Sequence, residues 1–172
     1  MSEVVLLPAT VEHLTALRED RGAFGELLGT AVPDGWPEFP EAIDFTIDRL
    51  TEHPHQAGWW MHFFLADGGA LLVGSGGFAG PPSGGAVEFG YEIAPEYRNR
   101  GLATAAARAM IDKALSTSNA VATMVAHTLA RENPSTGVLR RLGFTRVAEL
   151  VDVEDGPLWR WELSVSATAP VS

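Results

Sequence analysis

The chain has no cysteine, and this absence excludes disulfide bonds, thiolate metal sites and a cysteine nucleophile. It has no apolar run of about 18 residues, the length that a transmembrane helix needs. Its N-terminus has no basic segment followed by an apolar one, the pattern typical of a signal peptide. Together these absences predict a cytoplasmic protein that does not work in a membrane.

Positive charge is also scarce, because 12 lysines and arginines stand against 22 acidic residues and leave a net charge of −10. Binding to a nucleic-acid backbone needs clustered basic side chains, so we expect no nucleic-acid partner. A negative surface can attract cationic substrates, although solubility is the commoner reason for such a charge.

The length of 172 residues and the hydrophobic share of 46% suit one domain with a sizeable core. The sequence has no internal repeat and no interdomain linker. We expect a single domain over residues 1–165, followed by a loose tail of small polar residues at 166–172.

Hydrophobic periodicity and turn residues predict seven strands and four helices. The helices are expected at 11–28, 41–51, 102–115 and 133–143, and the strands at 4–7, 59–66, 70–80, 86–93, 121–126, 145–153 and 158–165. This order indicates one mixed α/β domain with a largely antiparallel sheet. Only the strands that flank the third helix can be parallel, through a helical crossover.

The turn at 97–104, Tyr-Arg-Asn-Arg-Gly-Leu-Ala-Thr, joins the fourth strand to the third helix. Backbone N–H groups at a helix N-terminus are unpaired, and the helix dipole favours negative charge there. Arg98 and Arg100 add positive charge, and Gly101 lets a ligand approach the backbone closely. The turn therefore predicts a socket for a pyrophosphate.

Three segments resemble the GNAT superfamily of acetyl-CoA-dependent N-acetyltransferases. They are the turn 98–103, its lead-in 90–97 (Gly-Tyr-Glu-Ile-Ala-Pro-Glu-Tyr) and the segment 133–144 that ends in Gly-Phe. The last two are most similar to the Rim-type branch, which contains the ribosomal-protein N-terminal acetyltransferases. The resemblance implies a single GNAT-like α/β (α+β) domain. Its mixed, mostly antiparallel central sheet would have about seven strands and about four helices, and would be splayed between the strands 86–93 and 121–126.

The resemblance also implies how acetyl-CoA, the acetyl donor, would be held. Its pantetheine arm would lie between the splayed strands beside Ile93 and Ala94, with Asn133 hydrogen-bonded to it. A bulge at 91–93 would free an N–H for the thioester oxygen. The pyrophosphate would bind backbone amides of Arg98, Asn99, Arg100, Gly101, Leu102, Ala103 and Thr104.

Acetyl transfer needs a neutral amine, and a carboxylate can remove the extra proton. Glu88 and Glu92 are the candidate general bases, and strand alternation predicts that both point to one face. The alternative is that one or both are solvent-facing strand residues.

The leaving thiolate can take a proton from a general acid. Many GNAT members use a tyrosine four residues before the Gly-Phe pair, but this chain has Leu139 there. Ser135 is the substitute in the Rim-like pattern, and Tyr91 is a second candidate. Ser135 also stands near the start of a helix, where a serine commonly acts only as a cap, and we favour that role.

Trp36 and Trp60 are candidates for the acceptor site, with core packing as the alternative. His53 and His55 suggest a metal only weakly, since no third ligand stands near them in the sequence. His62 and His127 are interpreted as structural, and we expect no metal.

The leading functional hypothesis is direct transfer of acetyl from acetyl-CoA to a primary amine in a ternary complex. The acceptor can be a protein N-terminus, an amino sugar or aminoglycoside, a polyamine or another small amine. The alternative is a catalytically weak acyl-CoA-binding regulatory or sensing domain, which the leucine at position 139 keeps open. A dinucleotide-binding unit is disfavoured, since the turn has one glycine only. Edge strands near the last hairpin can pair two subunits into a homodimer.

Overall fold

The computed structural model describes residues 3–165, which form one seven-stranded sheet with helices on both faces. The predicted tail at 166–172 lies outside these residues. The strands are β1 (Val5–Pro8), β2 (Met61–Ala66), β3 (Leu71–Phe78), β4 (Ala86–Ile93), β5 (Thr123–Leu129), β6 (Thr145–Asp152) and β7 (Gly156–Ser164). The α-helices are α1 (Val11–Glu19), α2 (Arg21–Leu28), α3 (Glu41–Glu52), α4 (Leu102–Thr117) and α5 (Pro134–Arg141), and short 3-10 helices lie at Pro54–Trp59, Asp67–Gly69 and Pro95–Tyr97.

The strand order is β1-β2-β3-β4-β5-β7-β6, and every neighbouring pair is antiparallel except β4 with β5. This confirms the predicted mixed, mostly antiparallel sheet. The parallel ladder runs only from the pair Ala86–Thr123 to the pair Glu88–Val125. Beyond Glu88 the two strands have no paired residues, so the predicted splay is confirmed and leaves an opening in the middle of the sheet.

Each face of the sheet carries its own hydrophobic core. Helices α4 and α5 cover one face, where residues such as Phe89, Met110 and Leu139 pack together. Helices α1 to α3 cover the other, around Phe24 and Phe63. Because Val87, Phe89 and Ile93 of β4 face α4, the alternate residues Glu88, Gly90 and Glu92 face the side of α1 to α3.

The predicted single helix at 11–28 is wrong, because Asp20 divides it into α1 and α2. Asp20 has an extended backbone (φ −156°), and its N–H closes α1 on the carbonyl of Ala16. Its carboxylate then accepts a hydrogen bond from Ala23 N–H (3.1 Å) and caps α2. Aspartate is a strong N-cap, so this part of the chain has one helix more than the sequence predicted.

His62 of β2 is an ionisable side chain inside the core beneath α4. It is 0% exposed, its ring packs edge-on against Phe78, and its Nδ1 lies 3.1 Å from the carbonyl of Trp60. Its Nε2 is buried without a hydrogen-bond partner in the described chain. Burial, together with the charge of Lys113, lowers the pKa of His62 to about 4.

His62 should therefore make the fold sensitive to mild acid. The unfolded chain takes up this proton near pH 6.5 and the folded chain only near pH 4, so stability is lost as the pH falls between these values. We expect a loss of about 2 kcal/mol at pH 5 from this group. The variant His62→Leu should not show this loss of stability. The free energy of urea unfolding at pH 7.5 and at pH 5 measures the difference.

His55→Gln is the matched control, because His55 is exposed. It should keep the parental difference between the two pH values. A His62→Leu protein with that same difference would contradict the assignment.

Candidate active site

A cavity of about 460 Å³ opens where β4 and β5 diverge. One wall comes from α3 and the loop before it, and the floor comes from β3 and β4. The far side is formed by β5 and by the start of α5. Charged and aromatic side chains of the lining include Phe39, Phe45, Trp60, Glu88, Glu92 and His127.

Backbone groups of β4 face this opening. The carbonyl of Glu88 accepts from Ala79 N–H, and Ala94 N–H donates to the carbonyl of Val73, so both residues bond toward β3. By alternation, the N–H and C=O groups of Phe89, Tyr91 and Ile93 face the β5 side. The ladder with β5 ends at the pair Glu88–Val125, which uses the Phe89 N–H, and Arg98 occupies the Ile93 carbonyl. The Phe89 carbonyl, both backbone groups of Tyr91 and the Ile93 N–H therefore remain on this edge. This edge can pair with an extended ligand that carries amide groups.

The predicted bulge at 91–93 is wrong. The pairing of β4 with β3 is regular from Phe89 to Ile93. Irregular register occurs instead at Phe64/Leu65 of β2 and at Arg146/Ala148 of β6. The divergence of two parallel strands, rather than an inserted residue, exposes the backbone edge of β4.

The turn before α4 has two residues in the left-handed region, Asn99 (φ 64°) and Gly101 (φ 78°). Gly101 is the N-cap of this 16-residue helix and offers no side-chain hydrogen bond to its first turn. A Cβ added at Gly101 would meet no atom within 4 Å. Open space therefore lies beside the first-turn amides, as an anion site at a helix N-terminus requires.

The arginines near this turn differ in their contacts. Arg98 donates from Nε to the carbonyl of Ile93 (2.9 Å) and lies 3.7 Å from Glu38, so its side chain ties the end of β4 to the loop before α3. Arg100 stacks on the ring of Tyr97. Arg141, which the sequence did not single out, donates to the hydroxyl of Thr104 (3.4 Å) and places a positive charge at the start of α4.

Glu88 and His127 form a pair across the opening. Oε2 of Glu88 lies 2.9 Å from Nδ1 of His127. The histidine side chain is 19% exposed and the glutamate side chain 49%, so the carboxylate remains reachable from the cavity. His127 was interpreted as structural, and its position beside a candidate base was missed. Its place directly after the predicted strand 121–126, next to the splayed strand that carries Glu88, was the sequence feature that could have indicated this contact.

Glu92 lies on the same face as Glu88 but has different partners. Its Oε1 accepts a hydrogen bond from Glu38 N–H (2.9 Å), so the carboxylate anchors the loop that carries Phe39. Burial raises the pKa of Glu92, while the Glu38 backbone N–H works in the opposite direction. Between the two glutamates, a Cβ added at Gly90 would meet nothing within 4 Å.

Tyr91 and Ser135 meet on the far side of the cavity. The Tyr91 hydroxyl is buried and has no well-formed hydrogen bond within residues 3–165. Burial raises the pKa of Tyr91 to about 12, with Ser135 and Arg141 opposing the shift. The phenol is therefore protonated at neutral pH. Leu139 lines the same wall and is 1% exposed.

Asn133, and not Ser135, caps α5. Oδ1 of Asn133 accepts from Thr136 N–H (3.0 Å), and the Thr136 hydroxyl accepts from Asn133 N–H (3.1 Å). The favoured capping role of Ser135 is thus wrong, because the helix begins at Pro134 and a cap must precede it. The Asn133 amide donates to the carbonyl of Arg131 (3.2 Å), so its side chain is already occupied.

The two candidate tryptophans lie in different surroundings. Trp36 is 2% exposed in the core, where its Nε1 donates to Ser75 Oγ (2.9 Å) and its ring stacks on Phe24. It supports the cavity from below without lining it. Trp60 does line the cavity, with its Nε1 bonded to Gln56 (3.2 Å) and its ring edge-on to Phe45.

No three acidic or histidine side chains within residues 3–165 are grouped as metal ligands. In the same residues, no helix has both the length and the apolar character to cross a membrane.

Several solved structures share the fold over nearly the whole chain. RimL, a ribosomal alpha-N-protein acetyltransferase in complex with coenzyme A, is 17% identical with a TM-score of 0.69, and the match covers 97% of each chain. A variant of spermidine N-acetyltransferase SpeG from Vibrio cholerae is 16% identical with a TM-score of 0.68 and 95% coverage of each chain. YncA, a putative acetyltransferase from Salmonella typhimurium with its cofactor acetyl-CoA, is 17% identical with a TM-score of 0.65 and 98% coverage of each.

At these identities the likeness shows the fold alone. No curated protein matches the chain. The family model of the acetyltransferase (GNAT) domain matches residues 4–145, most of the chain. The predicted membership is thereby confirmed, and this protein belongs to the GNAT acetyltransferase family.

Proposed function

We propose that this protein transfers the acetyl group of acetyl-CoA to a primary amine, by direct attack in a ternary complex. The observation that carries the proposal is the opening between β4 and β5, which brings an unpaired backbone edge next to a reachable carboxylate, Glu88. The backbone edge can hydrogen-bond the amide groups of acetyl-CoA, and the carboxylate can remove a proton from the amine.

The donor would be held by backbone groups of β4 and α4. Acetyl-CoA supplies the acetyl group as a thioester. The first-turn amides from Leu102 to Thr104, beside the open space at Gly101, would hold its pyrophosphate, and Arg141 adds charge there. The free backbone groups of this edge, chiefly those of Tyr91, would pair with the pantetheine amides.

Glu88 is the proposed general base. A primary amine has a pKa near 10 and is mostly protonated at neutral pH, so it must lose a proton before it attacks. The amine nitrogen then forms a bond to the acetyl carbonyl carbon, and the carbon–sulfur bond breaks with its electrons on sulfur. Glu88 takes the proton that the ammonium loses before attack, and His127 holds the carboxylate in place at 2.9 Å. The second proton leaves nitrogen after the attack and restores the proton that the acid gives to sulfur.

Tyr91 is the proposed proton donor to the departing sulfur. Its phenol is buried, protonated and free of a well-formed hydrogen bond in the described chain. Ser135 lies beside it and can orient that proton. Since a thiol has a pKa near 8.5, the thiolate can also leave with little help. Glu92 is assigned to positioning the loop at Glu38.

The acetyl acceptor is not defined by the fold. The similar structures include an acetyltransferase of a ribosomal protein and one of spermidine. A catalytically weak acyl-CoA-binding regulatory domain is the second candidate, favoured by the apolar wall at Leu139.

Two measurements on the whole protein test the proposal. Isothermal titration with acetyl-CoA should show binding, and a thiol assay should show CoA release that depends on an added amine. Binding with no thiol release from any amine would instead support the regulatory domain. Absence of binding would contradict both candidates.

A further inference from the structure

We infer that the acceptor is a small monoamine with an apolar, preferably planar aromatic, body. This inference rests on the proposed function and concerns the same cavity. It distinguishes the acceptor from polyamines and amino sugars, which carry several cationic or hydroxyl groups.

Aromatic side chains surround the entrance on the amine side. Phe39 and Phe45 are 54% and 56% exposed although both are large and apolar. Trp60 stands edge-on to Phe45 with ring centroids 5.9 Å apart. An exposed apolar group that rims a cavity is typical of a ligand-binding groove. An apolar ligand that packs against these rings would remove their exposed surface from water.

The floor between these walls has no side chain at its middle. Gly77 of β3 pairs there with Gly90 of β4. The Trp60 backbone covers Gly77, with its carbonyl oxygen 3.0 Å from an added Cβ, whereas a Cβ added at Gly90 would meet nothing within 4 Å. The open space over Gly90, between Glu88 and Glu92, can take the edge or face of a planar ring.

Three polar side chains near α3 and the floor of the cavity already have partners. Trp60 Nε1 bonds to Gln56, Ser75 Oγ accepts from Trp36, and the Thr46 hydroxyl donates to the carbonyl of Ala42. The Tyr91 and Ser135 hydroxyls lie on the far side, where the thioester is proposed to bind, so few polar groups on the α3 side remain to bind the hydroxyl groups of a sugar. A buried hydroxyl without a partner costs about 1–3 kcal/mol, which disfavours amino sugars.

The charges indicate a single cationic nitrogen. Among the lining residues only Glu88 and Glu92 are acidic, and Glu92 is committed to the backbone of Glu38. At the entrance, the guanidinium of Arg49 lies over Phe45, with its centre 5.7 Å from the ring centroid, and pairs with Glu52. Among the lining residues, a second cation on the ligand would find no third carboxylate.

The test is a thiol-release panel at saturating acetyl-CoA. Hexylamine and hexamethylenediamine differ by one charge, and phenethylamine and glucosamine differ in the polarity of the ring. We expect kcat/KM for hexylamine to exceed that for hexamethylenediamine about tenfold or more, and kcat/KM for phenethylamine to exceed that for glucosamine by a similar factor. Faster reaction with the diamine, with glucosamine or with a short peptide N-terminus would overturn the inference and leave acetyl transfer standing.

A binding measurement separates this failure from failure of the proposed function. If acetyl-CoA binds but no amine releases thiol, the proposed function fails. Titration of phenethylamine and hexamethylenediamine into the CoA-bound protein then still tests the inference, and tighter binding of the diamine overturns it.

Gly90→Val gives an independent test of the floor. The side chain should fill the open space and lower kcat/KM for phenethylamine about tenfold or more, with acetyl-CoA affinity retained. Gly58→Val is the matched control, because Gly58 also has open space around its Cβ position and lies outside the cavity. Unchanged kcat/KM in folded Gly90→Val protein would contradict a ligand on that floor.

Discussion

Replacement of Gly101 by Glu should abolish acetyl-CoA binding while the protein remains folded. The new side chain would enter the open space at the N-terminus of α4, where no atom lies within 4 Å. Its carboxylate would take the place proposed for the pyrophosphate and repel it. We expect the dissociation constant to rise at least about 100-fold, which corresponds to about 3 kcal/mol. Isothermal titration with acetyl-CoA measures this change.

Gly156→Glu is the control for strain and charge. Gly156 also has a left-handed backbone (φ 75°, against 78° at Gly101) and no neighbour within 4 Å of an added Cβ, but it lies at the start of β7. A side chain in this conformation costs about 1–3 kcal/mol at either position. Both variants should therefore lose similar thermal stability, and only Gly101→Glu should lose binding. Equal affinities in the two variants would rule out the proposed phosphate site.

The parts of this site that the sequence predicted depend on local patterns. The period of two along β4 places Glu88 and Glu92 on one face, because Val87, Phe89 and Ile93 face the core of α4. The turn at 97–104 was also recognisable, since a strand, a glycine and a helix start follow directly in the chain. Each pattern needs only near neighbours in sequence.

The parts that it missed depend on contacts between distant segments. Glu88 meets His127 only because β4 and β5 lie parallel with Glu88 opposite Val125, and that register is set by the crossover through α4. For Trp36 the sequence leaves the acceptor site and the core as alternatives. The side chain packs into the core, because the loop folds back and brings its Nε1 to Ser75, 39 residues away.

Two smaller errors concern residues that fit more than one local role, as part of a helix or as its cap. Asp20 sits in a run with helical spacing, and nothing before or after it predicts that its carboxylate will cap a new helix. Ser135 and Asn133 are both good caps, and only the position of the first helical turn decides between them. A sequence pattern locates a helix end to within a few residues, so it cannot assign the cap.

Glu88→Gln should lower kcat about 100-fold or more, because a positioned general base contributes roughly that factor. Glutamine keeps the size and can still meet His127, but it cannot take a proton from the amine. Acetyl-CoA affinity should remain parental, and the thiol assay gives kcat and KM separately. Glu149→Gln, an exposed substitution on β6, is the control for loss of one charge.

The defect of Glu88→Gln should shrink as the assay pH rises toward the pKa of the amine, near 10, because the amine then loses its proton without help. His127→Gln should lower kcat less, about tenfold, because this residue holds the carboxylate and does not itself take the proton in the proposed mechanism. A greater loss of kcat in Glu92→Gln than in Glu88→Gln would transfer the role of base to Glu92. If neither glutamate variant changes kcat, the proton leaves by another route and the proposed base is wrong.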